Sequence, residues 1–453
     1  MKTALLKSIA AITALATLPI SLQLAAQDAR TTNTSQIHYS VINLGALGGT
    51  QGAAYGINNT GWVTGDDDLP GDQNEHGFLW RKGVKTDLGT FGGPNSSAPG
   101  FQNDNGVVVG SAQTPETDPL GENFFLAYFC GNNPCDGIDH ISLPFRWQDG
   151  VMTPLPTLGG YQGQATAVNN RGQVVGVAEN STQDASCISP QKLDFEAVIW
   201  GPKGDIQELR PFAGDAAGVA VAINDYGQLV GCSGTCGSTS FPSAVFTADC
   251  AHATLWQSGK EGWSVTDLGG FGGKLYNLAA AINNRGQVAG QSDLAGDTTG
   301  HAFLWQDGMM TDLGTLPGDV YSASSGMNSK GQVVGQSCDV NFNCRAFLWE
   351  NGVMTDLNTL IPPGSSLYLI YGSDINDKGE IAGQGFDPST GDTSGFLAVP
   401  CDDEHADDEG CLAASQASVG VARPRAVLPE NVRTLLQHRM RLGRLGGGMS
   451  NQP

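Results

Sequence analysis

One short pattern recurs seven times along this chain, and no other feature constrains the fold as strongly. AINNRGQVAG (281–290), AVNNRGQVVG (167–176), AINDYGQLVG (222–231), GMNSKGQVVG (326–335), DINDKGEIAG (374–383) and GINNTGWVTG (56–65) align directly, and FQNDNGVVVG (101–110) aligns more loosely. The closing glycines are Gly65, Gly110, Gly176, Gly231, Gly290, Gly335 and Gly383. They stand 45, 66, 55, 59, 45 and 48 residues apart, a basic unit near 45 with insertions. Such self-similarity marks a repeat architecture, in which each unit buries its apolar face only against its neighbours.

A second element follows in each unit: GFLW (77–80), PFRW (144–147), AVIW (197–200), ATLW (253–256), AFLW (302–305), AFLW (346–349) and GFLA (395–398), where Ala398 replaces the Trp. A third comes after a Gly-containing turn, as in KTDLGTFGG (85–93), MTDLGTLPG (310–318) and MTDLNTL (354–360). These runs are rich in β-branched and aromatic residues and bounded by Asn, Asp or Gly, which is the strand and hairpin signature. Asn-x-x-Gly between two strands predicts a tight turn whose Gly takes a positive φ and whose Asn side chain caps the backbone. Each unit thus holds four strands in meander order, and four-stranded units of about 40–50 residues predict propeller blades.

YSVINLG (39–45) matches the fourth strand of a unit, with Asn43 and Leu44 where Asp312 and Leu313 stand, whereas the last unit ends on its third strand, GFLAVP (395–400). The expected fold is all-β: a seven-bladed β-propeller of four-stranded blades over 39–400. Its ring closes by pairing the N-terminal strand with the last blade, which also removes a free sheet edge.

HAFLW (301–305), followed by TDLGTLPG and MNSKGQVVG, resembles the HAF family of extracellular repeat proteins, named for its His-Ala-Phe tripeptide. The resemblance covers nearly the whole mature chain apart from its tail and implies an exported repeat protein. It implies no established activity, so no catalytic residue carries over. Only one unit keeps the whole tripeptide; His76 and His252 hold its first position, and Arg345 replaces it elsewhere.

Residues 1–26 show Lys2 and Lys7, an apolar run, then Ala25 and Ala26, the order of a signal peptide, so secretion or periplasmic export is expected. Residues 27–38 read as a linker, and no stretch is expected to span a membrane. In the tail, 401–453, an acidic stretch CDDEHADDEGC precedes LPENVRTLLQHRMRLGRLGGG (428–448), whose Val432, Leu435, Leu436 and Met440 have helical spacing. With 23 Lys+Arg against 45 Asp+Glu, the net charge of -22 excludes nucleic acid as a partner, because phosphate binding needs clustered positive charge.

The ten cysteines fall in the connections between second and third strands or in the tail, and an even number in an exported chain reads as disulfides. Cys338–Cys344, Cys401–Cys411 and Cys130–Cys135 are local pairs. Cys187, Cys232, Cys236 and Cys250 leave two bonds unassigned, and Cys232, Cys236 and Cys250 with His252 also fit a zinc set.

The same connections carry the extra length, at 111–143, 177–196 and 232–252, and they are the candidate binding loops. DDDLPGDQNE (66–75) offers Asp66, Asp67, Asp68 and Asp72 as a calcium candidate; a solvated acidic loop is the other reading. The repeated Asp of TDLG, Asp87, Asp267, Asp312 and Asp356, is read as bonding to a turn or a neighbouring strand. No nucleophile and base, helical His pair or unique carboxylate pair stands out, so no catalytic residue is named.

The leading expectation is a secreted, disulfide-stapled, monomeric propeller serving as a non-catalytic binding or surface-interaction module for a glycan or a protein. A propeller hydrolase or lyase acting on an extracellular polymer is the alternative, and a structural envelope protein the next.

Overall fold

The computed structural model describes residues 37–99, 103–122, 139–187, 191–236, 249–401, 411 and 424–440. The expected signal peptide, residues 27–36 of the expected linker and the expected Cys130–Cys135 pair lie outside the described residues.

Seven four-stranded antiparallel sheets stand in a ring and form a seven-bladed β-propeller. Blades 1 to 6 occupy 52–87, 96–154, 159–209, 217–267, 272–312 and 321–356, each in sequence order from the innermost strand outward. Blade 7 joins both ends of the chain: 368–400 supplies three strands, and Tyr39–Asn43 pairs outside Thr393–Pro400, with Tyr39 opposite Pro400 and Asn43 opposite Phe396. The expected closure is thus observed.

The repeated letters acquire physical reasons. Phe78, Phe145, Phe303, Phe347 and Phe396, from the third strands, are fully buried between blades. Burying each such ring contributes about 2 kcal/mol, so the blades hold together chiefly by face-to-face apolar packing. Phe303, for instance, joins Ala222, Leu255 and Leu268 of blade 4 in one cluster with Val288 of its own blade.

The closing glycine answers a second feature, a register break in the innermost strand. Such breaks occur between Ala54 and Gly56, Ala165 and Ala167, Ala220 and Ala222, Ala279 and Ala281, Ser324 and Gly326, and Gly372 and Asp374. A bulge increases local twist. Here it also presses the inner-strand carbonyl onto the second strand: a Cβ on Gly290 would lie 2.0 Å from Leu278 O, and one on Gly231 1.9 Å from Val219 O. The closing residue is glycine because a side chain has no room.

Turns between first and second strands, and between third and fourth, open on one end of the ring, the hairpin face. Connections between second and third strands and the links between blades open on the other, the loop face. The helix Glu430–Met440 docks on the loop face of blades 6 and 7. Leu428, Val432 and Leu436 pack there against Tyr321, Ile370, Phe386 and the Cys338–Cys344 pair. Arg425 pairs with Asp319 and, at 3.1 Å, with Asp339, and Leu428 N donates to Asn343 Oδ1 at 3.0 Å. No helix among the described residues is long and apolar enough to cross a membrane.

Candidate functional site

On the hairpin face the Asn-x-x-Gly turns do more than turn the chain. Their glycines have positive φ, from 74° at Gly286 to 86° at Gly379, and each Asn Oδ1 caps its own turn: Asn283 Oδ1 accepts from Arg285 N at 3.0 Å and Gln287 N at 3.1 Å. The Nδ2 groups then reach the next blade. Asn58 donates to Asn103 O, Asn103 to Asn169 O, Asn169 to Asn224 O, Asn224 to Asn283 O, Asn283 to Asn328 O, Asn328 to Asn376 O, and Asn376 back to Asn58 O, all at 3.0–3.1 Å. Seven bonds close a circle.

The next residue in each turn forms a second layer around the channel mouth. Asp104 Oδ2 lies between the amides of Asn59, at 3.2 Å, and Asn170, at 3.4 Å; Asp225 Oδ2 lies between those of Asn170, at 3.3 Å, and Asn284, at 3.0 Å. Amides, and Ser329 in blade 6, stand between the carboxylates, so like charges are held apart. The polar cup bounded by these residues holds about 200 Å³.

The outer strands explain the tripeptide's first position. His76 Nδ1 is 2.9 Å from Asp87, His301 Nδ1 3.0 Å from Asp312, and Arg345 Nη1 3.0 Å from Asp356, so each joins the third strand to the Asp of TDLG. The same aspartates cap the following turn, with Gly89 N at 2.7 Å from Asp87 and Gly314 N at 2.7 Å from Asp312. Burial raises the Asp87 carboxyl, but the bonds from His76 and Gly89 outweigh it and hold the group below its ordinary value. The expected structural role of these aspartates is observed.

In blade 4, His252 Nδ1 turns instead to Asp215 at 2.9 Å, which also accepts from Ser233 Oγ at 2.5 Å. This Ser, Asp and His grouping is not a catalytic triad: serine and histidine both bond to the aspartate, and no serine-to-histidine bond sets up a nucleophile. Blade 6 repeats the arrangement with Ser337, Asp319 and Arg345, as expected of a structural device.

The acidic segment departs from the loop reading. Asp66, Asp67 and Asp68 belong to the strand Val63–Asp68 and are buried. Asp66 accepts from Ser97 Oγ at 2.7 Å and Ala98 N at 2.6 Å, Asp67 pairs with Lys85, and Asp72 accepts from Thr50 N at 2.8 Å and Thr50 Oγ1 at 2.9 Å. Asp66, Asp67 and Asp72 are each turned to a different partner, and no three of the four carboxylates meet. Burial first, then the charges of Asp72, Asp67 and Asp66, push Asp68 up to about 8.

Cys187, Cys232, Cys236, Cys250, Cys338 and Cys344 lie on the loop face, whereas Cys401 follows the third strand Thr393–Pro400 onto the hairpin face. Cys232, Cys250, Cys338 and Cys344 sit in strands rather than in loops. Cys338–Cys344 and Cys401–Cys411 are bonded as expected, and the four unassigned residues pair as Cys187–Cys236 and Cys232–Cys250. These bonds overturn the zinc set, which needs thiolates.

The candidate loops are also shorter than 111–143, 177–196 and 232–252, because strands run past the closing glycine. Those strands reach Thr117, Gln183 and Thr235 and resume at His140, Leu193 and Asp249. What remains is stitched together. Glu122 of the blade 2 connection accepts from Lys192 N and Leu193 N of the blade 3 connection, at 2.7 and 2.6 Å, and Cys187 of that connection is bonded to Cys236 of blade 4.

No protein-family profile matches the sequence, and no curated protein sequence does. Among solved structures, the chain is similar to an acylaminoacyl peptidase from Pyrococcus horikoshii at 8% identity and a TM-score of 0.44, covering 79% of this chain and 53% of that one. It is similar to a puromycin hydrolase complexed with PGG at 12% identity and a TM-score of 0.43, covering 78% and 52%. It is also similar to a gluconolactonase from Xanthomonas campestris at 9% identity and a TM-score of 0.34, covering 81% and 96%. The chain spans about half the length of the peptidase and of the puromycin hydrolase. Likenesses this distant bear on neither activity nor substrate.

Sequence reasoning missed the asparagine circle. Its signal was present: an Asn held at one position in all seven units while its neighbours varied, although one turn needs only one cap.

Proposed function

We propose that this chain is an exported HAF-type propeller that binds an extracellular glycan or protein without transforming it, through the connections of blades 2 to 4 on the loop face. One observation carries the reading. The three longest connections lie side by side and are joined, blade 2 to blade 3 through Glu122 and blade 3 to blade 4 through Cys187–Cys236, which supports a single fixed platform. Joining loops in advance lowers the ordering cost of binding. The disulfides support export, because such bonds persist in oxidising compartments.

The test is a glycan and surface-protein screen, followed by variants with the blade 2 or blade 4 connection shortened to a turn. Loss of affinity in variants that keep the parent's unfolding temperature supports the platform. Unchanged affinity in both puts the binding site elsewhere.

A further inference from the structure

Two fully buried carboxylates, Glu122 and Glu179, are linked through Leu193 and Gln191 where blade 2 leans on blade 3. Glu122 follows a turn capped by Asp118, whose Oδ1 accepts from Leu120 N at 2.6 Å, and its own Oε1 is held by Lys192 N and Leu193 N. Glu179, in the strand Val174–Gln183, accepts from Tyr161 N at 3.1 Å and Gln162 N at 2.9 Å on Oε2 and from Gln191 Nε2 at 2.9 Å on Oε1. Gln191 Nε2 also donates to Leu193 O at 2.7 Å, so both its neighbours there are acceptors and its Oε1 is the oxygen.

Two of the oxygens have no hydrogen-bond partner: Glu122 Oε2 and Gln191 Oε1, on side chains 0% and 2% exposed. The ammonium of Lys192 is directed to Leu120 O, and Asp118 is engaged by Gln162 Nε2 at 2.7 Å. A buried pair of carboxylates is relieved by a retained proton or by a cation. The vacant lone pairs here are all oxygen, the donor set that hard divalent cations take.

We propose that Glu122, Glu179 and the side-chain oxygen of Gln191 form a calcium site that pins the long connection of blade 2 to blade 3. Main-chain oxygens and water complete the shell. The site is independent of whatever ligand the loop face binds.

The test uses full-length protein stripped with chelator at pH 7.5. Equilibrium dialysis should find a saturable calcium site with a Kd on the order of 10⁻⁴–10⁻³ M, the range of extracellular modules. Calcium should raise the unfolding temperature, and Glu122→Gln and Glu179→Gln should each weaken that site on the order of 100-fold and remove the calcium-dependent rise. Wild-type protein that binds no calcium overturns the proposal without any variant. So does a calcium-dependent rise of the same size in Glu122→Gln, which keeps the side chain's shape.

Discussion

Asn376 donates its Nδ2 to the main-chain carbonyl of Asn58, 3.0 Å away in space and 318 positions earlier in sequence. This bond completes the circle of seven on the hairpin face, and the circle is uniform because every member uses both ends of the amide. Oδ1 shapes the turn, and Nδ2 fixes the distance to the next blade.

Asn283→Ala removes two caps and two Nδ2 bonds, to Asn328 O and Gln287 Oε1, in a buried setting. At about 1 kcal/mol per bond, with the Asn328 carbonyl left unsatisfied, the expected loss is about 2–4 kcal/mol. Urea unfolding measures it. Affinity for any loop-face ligand should stay at the parent value; a loss below about 0.5 kcal/mol, the level of an ordinary surface change, would reduce the circle to decoration.

Gly290→Ala tests the contact between bulge and glycine. Its Cβ would meet a main-chain oxygen at 2.0 Å, whereas one on Gly308, in an open turn with φ of 84°, would meet nothing within 4 Å. Gly290→Ala should cost about 3 kcal/mol or more, and Gly308→Ala about 1 kcal/mol for left-handed strain alone. Equal shifts in the urea midpoint would show that crowding by the inner-strand carbonyl is not what selects glycine.

Among the disulfides, Cys187–Cys236 should matter most for stability. It closes 49 residues, against 6 for Cys338–Cys344. Chain entropy alone gives about 4 and about 2 kcal/mol respectively. Alanine pairs at each position, compared by thermal unfolding, should rank in that order. A reversed ranking would mean that the stitch between blades 3 and 4 adds no more than a local clip.

Asp68 makes the protein sensitive to alkali in a defined direction. Its carboxyl titrates near 8 when folded and near 4 when unfolded, so above pH 4 the unfolded chain releases a proton that the folded chain keeps. Its effect is therefore a stability that falls from about pH 4 to about pH 8 and then levels. Asp68→Asn should stabilise by on the order of 2 kcal/mol at pH 8.5 and by little at pH 4.5. Parallel unfolding profiles for the two proteins across that range would contradict the shift.

The fold was legible because the information was given seven times. Strand order, the shared blade and the aspartates of TDLG all follow from aligning the units. The acidic segment misleads because a loop starting directly after each closing glycine would contain it, whereas the strand Val63–Asp68 runs through it. Asp66, Asp67 and Asp68 are poor strand formers, yet the strand continues through them: Asp67 is opposed by Lys85, and Asp66 takes up Ser97 and Ala98 of the next blade. Partners in a neighbouring blade override local propensity.

Cys338 and Cys344 could be paired from sequence because they flank one short turn, and the strands place them directly opposite. Cys187 and Cys236 could not. Their meeting depends on how two connections of different blades lean on each other, and no period in the sequence encodes that.

The strand Tyr39–Asn43 belongs to a sheet whose other members lie at 368–400. A chain delivered from its N-terminus therefore emerges with one of its earliest strands unable to find its sheet until almost everything else has been made. Bringing such distant ends together costs about 5 kcal/mol in chain entropy, on the order of (3/2)RT ln n, so closure comes after the blades that bring them near. Any product interrupted before 393 keeps an unpaired strand at one end and an open sheet at the other, a readable mark of incompleteness for the proteases that clear unfinished chains.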